Sequence, residues 1–395
     1  MPNELVLRAG RERSVLRRHP WVFSGSVAEV RGSPGAGETV DLVSASGDWL
    51  ARAAYSPTAR IAARLWTWDP EEIVDREFLR RRMERSIQAR ASLAQESSSN
   101  AYREVYAESD YLPGFIVDRY ADVRVVQFLT QGAEKWRDVL LDLLASLVPS
   151  EGVYDRSDSD ARTLEGLPSR YGVLAGTVPE RVEIVENGMT FLVDVRRGQK
   201  TGFYLDQRES RAAIRRLASH RRVLNAFCYT GSFTVAALKG GASEVLSIDS
   251  SGDSLTLGRE NLVRNGLPEA GAVWTEGNVF QELRAARDRA ESFDMILLDP
   301  PRFAATASHI PRAARAYKDV NLLGLKLLRP GGLLVTFSCS GGVSPELFEK
   351  IVAGAALDAE VEAQIIEWLG QPADHPVRLQ FPEGRYLKGL VVRRV

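Results

Sequence analysis

Apolar and polar positions keep different rhythms in successive parts of this chain. From residue 4 to about 70, short apolar runs alternate with Gly, Pro and Ser, as in SPGAGETVDLVSASGDWLARAAYS, and predict β-structure throughout. DPEEIVDREFLRRRMERSIQARASLAQ then repeats at the helical period, and ESSSN breaks the helix it predicts. YREVYAESDYLPGFIVDRYADVRVVQFLT reads as strands joined by turns, and AEKWRDVLLDLLASLVP as an amphipathic helix. GVYDRSDSDARTLEGLP reads as a second strand-rich patch.

A different texture begins near residue 181. VEIVENGMTFLVDVRRGQKTGFYLDQ predicts a hairpin turning at Asn187-Gly188. Strands (RRVLNAFCY, EVLSIDSS, AVWTEG, FDMILLDPP, GLLVTFSCS) then alternate with helices (GSFTVAALKGG, SGDSLTLGRENLVRNG, AYKDVNLLGLKLLRPG). Such apolar runs suit strands covered on both faces, and the alternation is that of a doubly wound, Rossmann-like parallel sheet. The fold class is α/β, and the changes of texture divide the chain into segments 1–75, 76–180 and 181–395.

Composition narrows the functional classes. Apolar residues make up 44% and charged residues 26% of the 395, the profile of an ordinary globular protein. No apolar run is long enough to cross a membrane, and the first residues lack the apolar core of a signal peptide. A cytoplasmic protein without a membrane partner is expected. Cys228 and Cys339 are the only cysteines, no CxxC occurs, and the four histidines are scattered, so neither a disulfide framework nor a metal site is expected. The net charge of -1 gives no global basic field, yet arginines cluster locally. One cluster is Arg8, Arg11, Arg13, Arg17 and Arg18, a second is Arg80, Arg81, Arg82 and Arg85, and a third is Arg196, Arg197 and Lys200. Each is a candidate for phosphate contact, weighed against a solvated face. The helical period of REFLRRRMERSIQARASL favours the solvated face for the second cluster.

Ligands of doubly wound sheets bind at the carboxyl ends of the strands. The first such end is NAFCYTGSF, whose lone Gly231 falls short of GxGxxG but still lets backbone approach a ligand. The second ends at Asp249, where a carboxylate can accept hydrogen bonds from ribose hydroxyls. The third ends near Glu276 and Asn278, the fourth in DPPRF (residues 299–303), and the fifth in SCSGG around Cys339. No loop resembles a pyrophosphate cradle and GxxxxGK[ST] does not occur, which fits a nucleoside ligand lacking a phosphate chain, such as S-adenosylmethionine (SAM).

GQKTGFYLDQR, NAFCYTGSF, SIDSS, ILLDPPRF, YKDVNLLGLKLLRPGG, TFSCSGG and DHPV…FPEGRYLKG together resemble the bacterial large-subunit (23S) ribosomal RNA cytosine-C5 methyltransferase family. RHPWVFSG, AESDYLPGFIVDRYAD and YDRSDSDARTLEGL extend the resemblance over nearly the whole chain. It implies an N-terminal PUA-like β-barrel over 1–75, a small central α/β domain over 76–180 and a class I SAM-dependent methyltransferase domain over 181–395. It also implies 23S ribosomal RNA as partner, with a homodimer as one option. Cofactor contacts are implied at Phe203, Asp206 and Arg208. Asn225, Phe227, Tyr229, Thr230 and Gly231 would face the methionine end. Asp249, with Ser250 beside it, would hold the ribose. Many relatives carry aspartate where this chain has Asn278, so a weaker adenine contact is expected there.

The implied chemistry needs a thiolate. Carbon 5 of cytosine takes a methyl group only after covalent attack at carbon 6, in a base extruded from its stack. Cys339, in a polar turn opposite DPPRF, is the expected nucleophile. Cys228 reads as a small core residue. Asp299 would meet the flipped ring near N3, and helix capping is its structural alternative. Candidates for the base that removes the C5 proton are His375, Glu383, Lys388 and water. For Arg302 two readings stand, a surface residue and a contact to RNA phosphate or the base. Arg11, Arg13, Arg17 and Arg18 are the other expected RNA contacts, whereas Trp21 and Phe23 are expected in the barrel core. Two competing readings remain open: methylation of another RNA or of a base nitrogen, and an RNA-binding assembly factor with a decayed site.

Overall fold

The computed structural model describes residues 3–96, 98–303 and 309–395. They form two compact units: Met1–Val185 with Val193–Leu205 and Ala373–Gly384, and Glu186–Leu192 with Asp206–Pro372 and Arg385–Val395.

The first unit begins with β1 (Glu4–Leu7), α1 (Arg13–Leu16), β2 (Trp21–Phe23), β3 (Val27–Arg31), β4 (Thr39–Val43), β5 (Trp49–Tyr55) and β6 (Ile61–Thr67). The six strands make one sheet in the order β2-β6-β5-β4-β1-β3 around Leu5, Leu7, Val22, Leu42 and Leu65. The expected all-β segment therefore also contains the single-turn helix α1, which seats Val15 in this core. The helix α2 (Arg76–Glu96) ends where ESSSN begins, with Ser97 outside the described residues. A second sheet, ordered β11-β10-β9-β8-β7, is built from β7 (Ala101–Tyr106), β8 (Phe115–Tyr120), β9 (Val123–Phe128), β10 (Gly152–Ser157) and β11 (Arg170–Gly176). Between its strands lie α3 (Gln131–Lys135), α4 (Arg137–Leu147) and α5 (Asp160–Leu164). The patch read as strand-rich thus holds one strand and then α5, whose N-cap Ser159 accepts from the Ala161 N–H. Buried ion pairs inside this unit include Arg103 with Asp118 at 2.7 Å and Arg124 with Glu104 at 3.1 Å, which offset the cost of burying each charge.

The hairpin falls where the pattern placed it, as β12 (Val182–Glu186) and β13 (Met189–Val193). Asn187 and Gly188 both have positive φ, 49° and 71°, which the mirror-image two-residue turn demands.

In the second unit, α6 (Arg208–Leu217) precedes β14 (Arg222–Ala226), α7 (Ser232–Lys239), β15 (Glu244–Asp249), α8 (Gly252–Arg264), β16 (Ala272–Glu276), α9 (Val279–Asp288) and β17 (Phe293–Leu298). Then come α10 (Ile310–Leu327), β18 (Leu328–Ser338), α11 (Pro345–Ala359), β19 (Ala363–Gly370) and β20 (Lys388–Arg394). The seven strands run in the order β16-β15-β14-β17-β18-β20-β19. β16 to β18 are parallel as expected, and the sheet ends differently: β20 inserts antiparallel between β18 and β19. The order reverses between β14 and β17, which makes their carboxyl ends the switch point where a crevice opens. Leu224, Ile296, Leu298, Leu334 and Leu390 line the core, with Tyr317 and Val320 of α10 and Phe348 of α11 against them.

Candidate active site

The turn after β14 is built on alternating left-handed residues. Phe227, Tyr229 and Gly231 have φ of 61°, 48° and 71°. Side-chain-bearing residues rarely adopt this region, and such strain gathers at functional sites. Gly231 is required: a Cβ there would lie 2.5 Å from Cη2 of Trp274. The turn is held to its neighbour by the Cys228 N–H, which donates to Ile248 O (3.1 Å), and by the Tyr229 N–H, which donates to Asp249 Oδ2 (2.8 Å). The Ser251 N–H occupies Asp249 Oδ1 (3.0 Å). Each carboxylate oxygen of Asp249 therefore holds one backbone donor and keeps lone-pair capacity for ribose hydroxyls. Ser250, next to it, is exposed.

Asn225 does not face outward. It is buried, and its Nδ2 donates to Thr234 Oγ1 (2.9 Å), which lies 2.7 Å from Ser247 Oγ beneath the turn. Its Oδ1 and the Oγ1 of Thr230 are buried polar atoms without a partner among the described residues. Buried polar atoms left open in this way suit a polar ligand at the turn. Asn278 is the N-cap of α9, its Oδ1 accepting from the Gln281 N–H (3.3 Å).

Asp206, Gln207 and Arg208 open α6 and are all buried. Asp206 Oδ2 accepts from Tyr386 Oη (2.5 Å), and Gln207 Nε2 donates to Asp299 Oδ2 (3.1 Å). The Asp299 N–H reaches Ala226 O at 3.4 Å, which ties the ends of β17 and β14 together. Arg208 Nε donates to Glu209 Oε1 (3.4 Å). Phe203 belongs to the first unit, where its N–H donates to Tyr120 Oη (3.2 Å).

Cys339 is half-buried just past β18. Ser338, before it, pairs across the sheet with Lys388, and Lys388 Nζ donates to the carbonyl of Ser340, after it (2.7 Å). The same ammonium donates to Tyr386 O (2.8 Å). From α10, Tyr317 Oη lies 3.0 Å from Ser340 Oγ. Burial raises the Tyr317 pKa, and the neighbouring Cys339 charge adds to the rise. Cys228 contrasts with this: it is buried, and desolvation, reinforced by Asp249, pushes its thiol well above the ordinary value.

Arg302 is exposed, and Phe303 packs on Tyr317 (ring centroids 4.9 Å) and Phe280 (6.2 Å). Of the base candidates, Lys388 shares the second unit with Cys339. His375 and Glu383 belong to the first, His375 against the Tyr106 ring (5.3 Å) and Glu383 beside His19 Nε2 (3.2 Å).

Arg11, Arg13, Arg17 and Arg18 are all exposed on and around α1. Arg80 and Arg81 instead pair with Glu77, Glu84 and Glu72 on an exposed face, whereas Arg82 departs from the solvated-face reading: it pairs with Glu72 but is largely buried over the Phe78 ring (4.1 Å). The expectation for Phe23 is corrected: its ring is 41% exposed, because β2 is an edge strand of its sheet. Trp21 is half-buried, stacked edge-on against Phe381 (4.7 Å), with Nε1 donating to Glu108 (2.8 Å). Among the described residues no cluster of metal ligands occurs, and no helix is long and apolar enough to cross a membrane. A cavity of about 270 Å³ lies against α9, lined by Arg222, Glu244, Glu282 and Arg289; it holds none of the expected site residues.

Local sequence did not single out Gln207, Tyr386 or Tyr317. The signal for the first two was their presence inside GQKTGFYLDQR and GRYLKG, and for Tyr317 its start of YKDVNLLGLKLL.

A seven-stranded sheet with this order, a strained turn after its first strand and an acidic end to its second define a class I methyltransferase. Residues 167–381 match the model of the S-adenosylmethionine-dependent methyltransferase family, and residues 5–68 match a PUA-like domain. The chain belongs to that methyltransferase family. It is 49% identical over 395 residues, all of both chains, to the ribosomal RNA large subunit methyltransferase I of Shewanella denitrificans. It is 48% identical over 394 residues, again all of both chains, to the protein of the same name from Escherichia coli. Among solved structures, a SAM-dependent methyltransferase from Streptococcus mutans has the same fold, with a TM-score of 0.86 at 23% identity over the whole of both chains. A methyltransferase solved with SAH superposes with a TM-score of 0.87, at 23% identity over the whole of both chains.

The cofactor is SAM. The residues present fit it: the free lone pairs of Asp249 and the open Oδ1 of Asn225 and Oγ1 of Thr230 are acceptors or donors without another use.

Proposed function

We propose that this protein methylates carbon 5 of a cytosine in large-subunit ribosomal RNA through a covalent bond between Cys339 and carbon 6. The observation that carries this reading is the setting of Cys339: a half-buried thiol at the carboxyl edge of the sheet, bracketed by the buried ammonium of Lys388. The names of the Shewanella and Escherichia relatives support ribosomal RNA as the substrate. Ribosomal RNA would be met in the cytoplasm.

SAM, when bound, supplies an electrophilic methyl group. Asp249 would hold its ribose, and the Phe227–Gly231 turn its amino-acid end. Asp206 and Arg208 would complete the cover, and Asn278, already spent on its helix cap, would contribute least to the adenine. The Cys339 thiolate attacks carbon 6 of the extruded base, and the C5=C6 electron pair moves to carbon 5. Asp299, aimed by Gln207, holds the N3 edge in its protonated form while that charge develops. Once carbon 5 carries the methyl group, a base removes its proton. The C–H pair restores C5=C6, and the S–C6 bond breaks with its electrons returning to sulfur.

Phe303 favours carbon over nitrogen as the acceptor. Its ring is engaged by Phe280 and Tyr317, so it is not offered as a stacking surface for a base whose amino group reacts. Arg302 and the arginines around α1 would neutralise RNA phosphates. The test is to incubate the protein with labelled SAM and unmodified large-subunit RNA and identify the labelled nucleoside. Label in 5-methylcytidine is expected; label in an N-methylated nucleoside would support methylation of a base nitrogen instead.

A further inference from the structure

The mechanism leaves one buried charge without a task. Lys388 is only 4% exposed, yet among the described residues no carboxylate neutralises it. A buried ammonium without a counter-ion is costly and is rarely retained for packing alone. Its Nζ donates to two carbonyls, those of Ser340 and Tyr386, and an ammonium has three donors. Cys339 follows the residue that Lys388 faces across the sheet. β20 pairs Lys388 with Ser338, and the side chain then bonds to Ser340, so the amine is fixed across the backbone on either side of the thiol.

We propose that Lys388 is the positioning residue of Cys339: its ammonium, held by the Ser340 carbonyl, is the counter-charge that keeps Cys339 a thiolate. The inference rests on the reading of Cys339 as nucleophile and gives that reading its activating group. Cys339 gives its proton to water, and the thiolate left behind is paired with the Lys388 ammonium, whose charge does not change. When sulfur later leaves carbon 6, the bonding pair stays on sulfur and the thiolate again faces the same ammonium.

The surrounding groups agree with a poised pair. Burial pushes Lys388 down to about 8, the charge on Cys339 works against that fall, and Arg385, on the turn before β20, reinforces it. Tyr317 from α10 approaches Ser340 and feels Cys339, while Asp299 at the end of β17 is engaged by Gln207.

The test is the pH dependence of Cys339 alkylation by iodoacetamide, followed by peptide mass spectrometry so that Cys228 is scored separately. In the wild-type protein the inflection is expected about one unit or more below the ordinary thiol value of about 8.5. Lys388→Met is expected to return it to that value, slowing alkylation at neutral pH roughly tenfold, and Lys388→Arg to keep it low. A wild-type inflection at the ordinary value overturns the proposal without any variant. So does an inflection that Lys388→Met leaves unmoved. The readout does not depend on methyl transfer. A shifted inflection together with methylation that survives Cys339→Ala would keep the ion pair and remove the nucleophile.

Discussion

The turns after β14 and β18 each place a cysteine at the carboxyl edge of one sheet, in opposite surroundings. Cys228 is packed inside its turn, with the carboxylate of Asp249 as its charged neighbour, and both effects hold it as a thiol. Cys339 is half-buried, in a polar turn, with an ammonium bonded to the next residue's carbonyl. Burial and an anion disfavour a thiolate; access and a cation favour one. In the proposed mechanism the two turns divide the work: the first, with its left-handed residues, open polar atoms and Asp249, would hold the cofactor, and the second would carry the attacking thiol.

Substitution at each turn should sharpen this division. Cys339→Ala is expected to abolish methyl transfer while SAM affinity stays within about twofold by calorimetry; residual turnover above background would contradict it. Asp299→Asn should lower kcat by roughly a hundredfold or more, the scale for losing one preorganised group at a developing charge. Asp249→Ala should act on the other side, weakening SAM binding by roughly tenfold to a hundredfold, the worth of one or two hydrogen bonds to a charged acceptor. Gly231→Ala should destabilise the domain by about 1–3 kcal/mol in denaturant titration, since an alanine at φ 71° is strained and its Cβ meets Trp274. Cys228→Ala should have the smallest effect, full turnover with a modest loss of stability; a large loss of turnover would erase the contrast between the turns.

Much of this was legible in the chain. The Asn187-Gly188 hairpin, the parallel strands and the strand-end positions of Gly231, Asp249, Asp299 and Cys339 followed from local periodicity and turn chemistry. Some elements were not foreseen. α9 sets only Val279, Leu283 and Ala286 into the core among polar residues, so its period is faint. α11 is rich in small residues that read weakly. The roles of Lys388 and Tyr386 depend on β20 inserting antiparallel beside β18, a pairing of residues about fifty positions apart that no local pattern encodes. Asn225 read as wholly ligand-facing, yet it is buried and its Nδ2 is spent on Thr234, which leaves only Oδ1 open. Phe23 read as core, yet its strand is an edge.

The most direct test of the central claim uses RNA in which the target cytosine carries fluorine at carbon 5. The last step then has no proton to remove, so a covalent adduct should accumulate. With SAM present, a denaturation-stable protein–RNA complex is expected, whose cross-linked peptide contains Cys339 and which Cys339→Ala does not form. No stable complex, or a complex that persists in that variant, would contradict covalent catalysis by Cys339.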